Sequence, residues 1–249
     1  MKWENELNLA KEAARPACER LKLIEFGCEI IDKTGKDIKL RADKESEAVI
    51  IEALNCHSTY SILSEEYGEK GAFDIESPFW IVDPLDGTVN YSRHIPINCI
   101  SIALWQGEIP ILGVICDFNN SEIFSGIVGE GAWCNDKKIS VSDIERADEA
   151  ILATGFPVNR SYSTEALAGF LSNIQSFKKI RMLGSAAMSL AYLAAGRVDA
   201  YTEEDIMLWD TAAGIAIIKA AGGWVKVKAS STKKWARTVR CASSESIFL

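Results

Sequence analysis

The most informative stretch of the sequence is Trp80-Ile81-Val82-Asp83-Pro84-Leu85-Asp86-Gly87-Thr88-Val89-Asn90-Tyr91. Its apolar start is typical of a buried strand that ends at Asp83, and Asp86 follows on a turn that a proline stiffens. Gly87 permits a left-handed backbone, and Thr88 can cap a short helix. Carboxylates on such a turn can converge on hard cations, while N–H groups at a helix start can hold a phosphate. An ordinary Asp-rich turn is the alternative, but the Pro-x-Asp-Gly-Thr context favours a functional site.

Two further acidic segments stand where strands or helices are predicted to begin or end. Glu65-Glu66 follows the apolar run 60–63, and Asp210 opens a predicted helix whose next residues, 212–214, are small. Taken singly, the first is typical of a solvated loop and the second of a helix cap with a favourable dipole interaction. The small residues would let another chain segment or a ligand approach closely. The three segments together favour one shared acidic site.

The apolar pattern of the first half predicts helices followed by a sheet. Helical spacing covers 43–55 and also 3–22, where Pro16 interrupts it. Short apolar runs that read as strands follow at 60–63, 79–82, 99–105, 109–116 and 122–128. Turn residues at 106–108 and 119–120 predict hairpins, so this sheet should be largely antiparallel.

After residue 150 the pattern changes to alternating strands and helices. Strands are predicted at 150–154, 179–183, 198–202 and 224–227, and helices at 164–175, 186–196 and 210–221. Such alternation is typical of layered α/β packing. We therefore expect an N-terminal α+β half over 1–145 and a smaller C-terminal α/β half over 146–249, which completes the site.

The composition indicates an ordinary globular protein of 249 residues, with 48% apolar and 25% charged residues. The formal net charge of -8 argues against binding to nucleic acid or to an anionic membrane, because both need a basic face. The seven cysteines form no Cys-x-x-Cys pair, and Cys99 and Cys116 lie in apolar runs that suit buried, reduced thiols. Neither a signal peptide nor a membrane-spanning segment is indicated, so we expect a cytoplasmic protein.

These motifs resemble those of the inositol monophosphatase family of metal-dependent phosphatases. Asp83–Thr88 is similar to the Asp-Pro-x-Asp-Gly-Thr signature of that family, Trp209–Gly214 to its Trp-Asp-x-Ala-Ala-Gly motif, and Glu65-Glu66 to its first acidic motif. The runs 181–187 and 196–201 also precede the last motif as they do in the family. The resemblance implies an α/β protein built as a layered α-β-α-β-α sandwich of the sugar phosphatase type, a homodimer, and sensitivity to Li⁺.

The resemblance also implies a metal site. One Mg²⁺ would be held by Glu65, Asp83 and the carbonyl of Leu85, and a second by Asp83, Asp86 and Asp210. A third Mg²⁺ near Glu65 is possible. Two such ions a few Å apart can activate a water and stabilise a leaving alkoxide. Besides Glu65, the implied catalytic residues are Asp43 and Thr88, since Asp43 could orient the Thr88 hydroxyl beside the attacking water. Asp43 alternatively caps the helix 43–55, and both roles are compatible.

The implied substrate contacts follow from the same matches. The phosphate would bind the N–H groups of Gly87 and Thr88. The hydroxyl groups of the leaving group would bind Asp86, Glu203 and the backbone of Ser185 and Ala186, and Asp210 is a further implied substrate contact. Glu203 alternatively belongs to an exposed acidic turn, Glu203-Glu204-Asp205. A family lysine near the first metal loop has two candidates, Lys33 and Lys36. Lys178, Lys179, Arg181 and Arg160 could bind a second phosphate, although a solvated basic face is the simpler interpretation.

The leading functional expectation is Mg²⁺-dependent hydrolysis of a small phosphate monoester, with inositol 1-phosphate first, by an activated water and without a covalent intermediate. The substrate class is a small phosphorylated polyol, sugar or nucleotide. Fructose-1,6-bisphosphatase or dual-specificity sugar phosphatase activity is the alternative, because fold and metal motifs do not identify the leaving group. A regulatory protein-interaction role of the same fold is a third possibility, against which the intact acidic motifs argue.

Overall fold

A computed structural model describes residues 2–23, 30–34, 37–70, 73–156, 163–231 and 233–249 of the chain. The helices are α1 (Glu4–Leu23), α2 (Arg41–His57), α3 (Thr88–Ser92), α4 (Thr164–Ile174), α5 (Ala186–Ala194) and α6 (Leu208–Ala220), with a 3₁₀ turn at Glu245–Phe248. The first strands are β1 (Ile30–Thr34), β2 (Asp37–Leu40), β3 (Ser61–Ser64), β4 (Gly68–Lys70), β5 (Pro78–Asp86), β6 (Cys99–Gln106), β7 (Ile109–Asp117) and β8 (Glu122–Ile127). The remaining strands are β9 (Gly131–Cys134), β10 (Lys137–Ile139), β11 (Ile151–Thr154), β12 (Lys179–Arg181), β13 (Ala200–Met207), β14 (Trp224–Ala229) and β15 (Ala236–Ala242).

An eight-stranded sheet forms the centre of the molecule, in the order β10-β9-β8-β7-β6-β5-β3-β4. Its pairs are antiparallel except β3 and β5, which run parallel. The predicted antiparallel sheet is therefore confirmed, including the hairpins that follow Gln106 and Asp117. α1 and α2 cover one face, where buried alanines and leucines of α1 meet the strands. α1 runs unbroken through Pro16, so the predicted interruption is wrong.

A second sheet of five strands, β12-β11-β13-β15-β14, belongs to the C-terminal part of the chain. α5 and α6 lie between the two sheets, because α6 contacts strands of both. Ile174 at the end of α4 and Phe248 pack on a small core on the other side of this sheet. The layers are thus α-β-α-β-α, as the sequence predicted. The division at 145/146 stays a prediction, since both sheets pack on the shared helix layer.

The small residues after Asp210 make room for other parts of the chain. A Cβ atom at Gly214 would lie 2.3 Å from the Cβ of Leu190 on α5. On the opposite side, a Cβ atom at Gly113 of β7 would lie 2.3 Å from the carbonyl oxygen of Ala213. α6 therefore packs so closely against both α5 and β7 that neither glycine position has room for a side chain. The sequence predicted that a chain segment or a ligand approaches these small residues, and the structure shows a chain segment there.

Several features had no counterpart in the sequence prediction. β15, β4, the β9–β10 pair and the β1–β2 hairpin are additional strands. Cys116 of β7 is buried, as expected, and faces Cys18 of α1 with the Cα atoms 7.3 Å apart, a pairing that the sequence did not predict. A separation of 98 residues gives no local signal for this pairing. Within the described part of the chain, no helix is long and apolar enough to cross a membrane.

Candidate active site

Asp83 and Asp86 lie on either side of an irregularity in strand β5. The strand was expected to end at Asp83, but it continues to Asp86, and its register against β6 shifts between Asp83, opposite Ser101, and Asp86, opposite Cys99. One extra residue on β5 therefore bulges out, as is common beside active sites. The carboxylate of Asp83 accepts a hydrogen bond from the Leu85 N–H (3.0 Å), which fixes the bulged segment. Both side chains are thereby directed by the sheet and not by a flexible loop.

Gly87 carries the chain from β5 into α3. It caps the helix with φ of 88°, a left-handed conformation, and a Cβ atom there would lie 2.8 Å from the carbonyl oxygen of Ile97. Glycine is thus required both by conformation and by space. Thr88 is the first helical residue and not the cap that was predicted. Its hydroxyl donates to the Leu85 carbonyl oxygen (3.0 Å) and also lies 3.4 Å from a carboxylate oxygen of Asp43.

Asp43 reaches this turn from α2. The helix begins at Arg41, two residues before the predicted start, so Asp43 is the third helical residue and not the cap. One carboxylate oxygen accepts from the Leu40 N–H (2.6 Å), which satisfies a free backbone donor at the helix start, and the other faces Thr88. Asp43 is buried, with 3% of its surface exposed. One oxygen of Asp43 thus serves the helix start while the other faces the threonine, so the geometry is compatible with both predicted roles.

Asp210 stands in the first turn of α6, which begins at Leu208. The Met207 backbone N–H at the helix start lowers the pKa of its carboxyl, although burial and the neighbouring charges raise it more. On β6, the Ser101 hydroxyl lies 3.4 Å from the Trp209 carbonyl oxygen, which links the start of α6 to the strand opposite Asp83. Asp210 is thus carried to the central sheet by a helix from the other half of the sequence.

The start of α5 holds Asp86. The Ser185 hydroxyl and the Ala187 N–H both donate to one oxygen of its carboxylate, at 2.5 and 2.7 Å. Ser185 also caps α5, since its side-chain oxygen accepts from the Met188 N–H. Removal from water raises the pKa of Asp86 to about 6, although the hydrogen bonds from Ser185 and the helix N–H groups oppose this rise. Ser185, expected to contact substrate, here contacts Asp86.

The carboxylates raise one another's pKa. For Asp83 and Asp210 the pKa lies well above the usual value, first because the protein removes them from water and second because of the Glu65 charge, with Asp86 adding to it. Asp83 is fully buried, whereas Asp86 and Asp210 keep part of their surface open. Such mutual repulsion shows that four acidic side chains from three segments, Glu65, Asp83, Asp86 and Asp210, share one site.

The chemistry of this donor set fits a divalent cation. Carboxylate oxygens are the ligands that Mg²⁺ prefers, and a cation among them would relieve their repulsion. Among the described residues, no group of three or more His, Cys, Asp or Glu side chains is arranged as it would be around a metal ion. Mg²⁺ is commonly held by one or two carboxylates, waters and a substrate phosphate, without an all-protein cage. The set therefore suits ions that are bound together with a phosphorylated ligand.

Glu203 lies within β13 and is buried, so the exposed acidic turn that was its alternative is wrong. Its carboxylate accepts from the Tyr201 hydroxyl (2.8 Å), and a Cβ atom at Gly155 would come within 2.8 Å of it. Burial first, and then the Glu203 charge, raise the pKa of Tyr201 well above its usual value, which keeps the phenol protonated as a donor. The charge of Glu203 also raises the pKa of Asp210, so the two carboxylates are neighbours.

Some predicted contacts are absent from this group or lie outside the description. Lys178, Lys179 and Arg181 are exposed, and the last two form the edge strand β12, which suits a solvated basic face. Lys36 and Arg160 lie outside the described residues, as does the side chain of Lys33. Sequence reasoning also missed Tyr201 and Glu47, a buried glutamate on α2 discussed below. A helical spacing of four between Asp43 and Glu47 was the available signal for the latter.

Comparison with known proteins assigns this chain to a family. A family model described as "Inositol monophosphatase family" matches residues 3–245. The chain belongs to the inositol monophosphatase family, and the resemblance drawn from its motifs is confirmed.

Individual relatives carry two kinds of name. "Nus factor SuhB" from Xylella fastidiosa is 40% identical over 198 residues, covering 79% of this chain and 71% of the relative. "Inositol-1-monophosphatase" from Synechocystis is 35% identical over 224 residues, covering 88% and 77%. The structure of an inositol monophosphatase from Anabaena (Nostoc) is 35% identical and superposes with a TM-score of 0.84, covering 98% of this chain and 92% of that one. Both names therefore occur among proteins similar to this chain.

Proposed function

We propose that this protein is a Mg²⁺-dependent phosphatase that hydrolyses the phosphate monoester of a small polyol, with inositol 1-phosphate as the first candidate. The observation that carries the proposal is the cluster of Glu65, Asp83, Asp86 and Asp210. Burial raises the pKa of the three aspartates, and the Glu65 and Asp86 charges raise it further for Asp83 and Asp210. A site that concentrates carboxylates beside a helix start is suited to cations on one side and a phosphate on the other. Family membership supports the phosphatase class.

The metal ligands in this proposal are those that the motifs imply. Glu65, Asp83 and the Leu85 carbonyl would hold one Mg²⁺, and Asp83, Asp86 and Asp210 a second. When bound, Mg²⁺ supplies positive charge beside the ester and lowers the pKa of a nearby water. A third ion, a homodimer and sensitivity to Li⁺ rest on family resemblance alone and are proposed on that basis, whereas the proposed cytoplasmic location rests on the sequence pattern.

Other residues of the site would bind the phosphate and orient the attacking water. The N–H groups of Gly87 and Thr88, at the start of α3, would bind phosphate oxygens. The Thr88 hydroxyl would accept a hydrogen bond from the attacking water while it donates to Asp43, its neighbour at 3.4 Å. The water oxygen would then form the new bond to phosphorus while its proton passes through the Thr88 hydroxyl to the Asp43 carboxylate. The bond between phosphorus and the ester oxygen would break, the alkoxide would take a proton from a solvent water, and Asp43 would return its proton to solvent, with no covalent enzyme intermediate.

The leaving group would face the start of α5 and the carboxylate of Glu203. Asp86 is fixed there by Ser185, and the N–H of Ala187 already contacts it, so the free oxygen of Asp86 and the carboxylate of Glu203 are the acceptors we assign to substrate hydroxyl groups. Ala186 and Asp210 complete the proposed contacts. A polyol with several adjacent hydroxyl groups fits such a row of acceptors better than a base or an acyl group does.

Phosphate release from a panel of esters tests the proposal. The panel contains myo-inositol 1-phosphate, fructose 1,6-bisphosphate, histidinol phosphate and adenosine 3′,5′-bisphosphate, each assayed with Mg²⁺ and with EDTA. We expect Mg²⁺-dependent release, fastest with the inositol ester, and none from an Asp83→Asn variant, which controls for contaminating phosphatases. A panel without turnover would overturn the enzyme proposal. Faster release from the fructose ester would instead support the bisphosphatase or dual-specificity alternative.

A regulatory protein-interaction role is a second candidate, favoured by the relatives named Nus factor SuhB. It requires a surface that acts independently of the acidic site. Affinity purification of the tagged chain and of its Asp83→Asn variant tests it. A partner identified in a 1:1 ratio with both forms would support the role, and a partner lost with the variant would tie the interaction to the acidic site.

A further inference from the structure

One face of α2 serves three different loops of the acidic site. Asp43, Ser46 and Glu47, at spacings of three and four, lie on the same side of the helix and are all buried. Asp43 faces Thr88, and the Ser46 hydroxyl donates to the carbonyl oxygen of Pro84 (2.8 Å), in the bulge between Asp83 and Asp86. α2 is therefore more than a cover for the sheet, since its polar side chains hold backbone of the site in place.

Glu47 makes the third of these contacts. One carboxylate oxygen accepts from the N–H groups of Glu66 (3.1 Å) and Tyr67 (3.4 Å), the two residues that follow Glu65. The Ser64 hydroxyl, buried beside Glu47, lowers the pKa of its carboxyl and so opposes the rise that burial causes. None of the surface of Glu47 is exposed. Burial of such a group is costly, so a purely structural position would favour an apolar side chain.

The turn that carries Glu65 is consequently fixed at three consecutive amides. The N–H of Glu65 donates to the carbonyl oxygen of Val82 (3.2 Å), the residue before Asp83, and the next two amides donate to Glu47. The parallel pairing of Ser64 with Val82 holds the preceding residue. Glu65 is thus placed against Asp83 by the sheet on one side and by Glu47 on the other. Substitution of Glu47 would remove only the second of these two restraints on Glu65.

We propose that Glu47 is a positioning residue for the cation site: its buried carboxylate holds the 64–67 turn so that Glu65 stays beside Asp83 and Asp210. The inference rests on the proposed function, because it assigns Glu65 to metal binding. It adds a residue from the middle of α2 that touches neither the phosphate turn nor the other carboxylates. Glu47 acts only through the backbone of the turn.

Two substitutions and one control test this proposal. Glu47→Ala removes the acceptor, whereas Glu47→Gln retains an oxygen that can accept both N–H bonds. Asp199→Asn is the matched control, because Asp199 is a buried carboxylate that accepts from the Ile151 N–H (2.7 Å) and the Ser142 hydroxyl (2.6 Å) in the C-terminal half. The measurements are Mg²⁺ affinity by calorimetry, amide hydrogen exchange at Glu66 and Tyr67, and thermal stability.

We expect Glu47→Ala to weaken Mg²⁺ binding by about 10- to 100-fold, the usual cost of losing a group that supports a metal ligand. The Glu66 and Tyr67 amides should exchange faster in the same variant, and Glu47→Gln should restore both properties to within a few-fold of wild type. Asp199→Asn should lose stability while it retains wild-type Mg²⁺ affinity.

Wild-type Mg²⁺ affinity in Glu47→Ala would overturn the proposal, as would an equal loss of affinity in Asp199→Asn, since the effect would then be general destabilisation. Failure of the proposed function looks different. A wild-type protein that binds Mg²⁺ but hydrolyses no ester would contradict the phosphatase proposal and leave the role of Glu47 intact. A wild-type protein that binds no Mg²⁺ would overturn both.

Discussion

Asp43 and Asp210 stand at the same position of two different helices. Each is the third residue of its helix, and neither cap is a polar side chain, since Leu40 and Met207 occupy those places. Asp43 accepts a hydrogen bond from the Leu40 N–H, and the Met207 backbone N–H lowers the pKa of Asp210. Their surroundings differ. Asp43 faces a hydroxyl group, whereas Asp210 lies among other carboxylates that raise its pKa.

The difference teaches that a shared local motif does not determine a role. A carboxylate at the start of a helix stabilises it through the free N–H groups and the helix dipole, wherever the helix lies. The tertiary neighbours decide what the remaining oxygen does. Beside Thr88 it can orient a hydroxyl, and among carboxylates it can join a cation site. Substitution of each aspartate by asparagine, which keeps an oxygen acceptor for the cap, separates the two roles.

Asp210→Asn should have the largest effect. It removes one proposed ligand charge, so we expect Mg²⁺ affinity to fall and activity to drop by about 10³-fold. In EDTA the same variant should unfold at a higher temperature than wild type, because it carries one fewer repelling charge. Calorimetry, a phosphate-release assay and thermal unfolding measure the three properties. Wild-type affinity together with an unchanged unfolding temperature would contradict the proposed charge cluster.

Asp43→Asn should reduce activity by about 10²-fold, in the range usual for a group that assists proton transfer. Mg²⁺ affinity should stay near that of wild type, because Asp43 contacts Thr88 and not the proposed ligands. Stability should change little, since the asparagine oxygen can still accept from the Leu40 N–H. If Mg²⁺ affinity falls as far as in Asp210→Asn, the contrast between the two aspartates is wrong.

The fold was largely predictable because its signals are local. Apolar runs such as 99–105 and 109–116 follow one another with tight turns, and the alternation after residue 150 has the period of α/β layers. β15 was missed because Ala236–Ala242 mixes alanine with two arginines and lacks a continuous apolar run. Its place in the sheet is fixed by pairing with β13 and β14 on either side, which no local pattern reveals.

The site was predictable only at the level of its motifs. The acidic positions follow from the sequence around Asp83 and from family resemblance, but the continuation of β5 to Asp86 depends on pairing with β6. The bond between Ser185 and Asp86 joins residues 99 positions apart. Glu47 could not be singled out from the other polar residues of its helix. Its partners are backbone amides, which the sequence does not distinguish.

The raised pKa values predict how stability depends on pH. A carboxylate whose pKa is higher in the folded protein favours folding while it is protonated, and this contribution is lost as the pH rises from about 4 through the folded pKa. For Asp86 that window ends near pH 6, and the same sign holds for Asp83 and Asp210, whose pKa values are also raised. Thermal unfolding between pH 4 and 8 in EDTA, compared with Asp210→Asn, measures it.

We expect the stability advantage of Asp210→Asn over wild type to grow as the pH rises across this range. Mg²⁺ should reverse the order at pH 8, because binding requires deprotonated carboxylates and stabilises only a protein that can bind the ion. A constant difference between the two proteins at every pH would show that the Asp210 charge is not the cause.

Ser185→Ala should have the smallest effect. It should separate the two roles of Ser185, which caps α5 and also donates a hydrogen bond to Asp86. Loss of the cap costs about 1 kcal/mol of folding free energy. Loss of the hydroxyl that donates to Asp86 also removes an interaction that lowers the pKa of this carboxyl. The acidic limb of the pH–rate profile should therefore move to higher pH.

Ser163→Ala is the matched control, because Ser163 caps α4 by accepting from the Ala166 N–H (3.3 Å). It should lose similar stability without moving the profile, and a shift of equal size in both variants would show that Ser185 acts on activity only through helix stability.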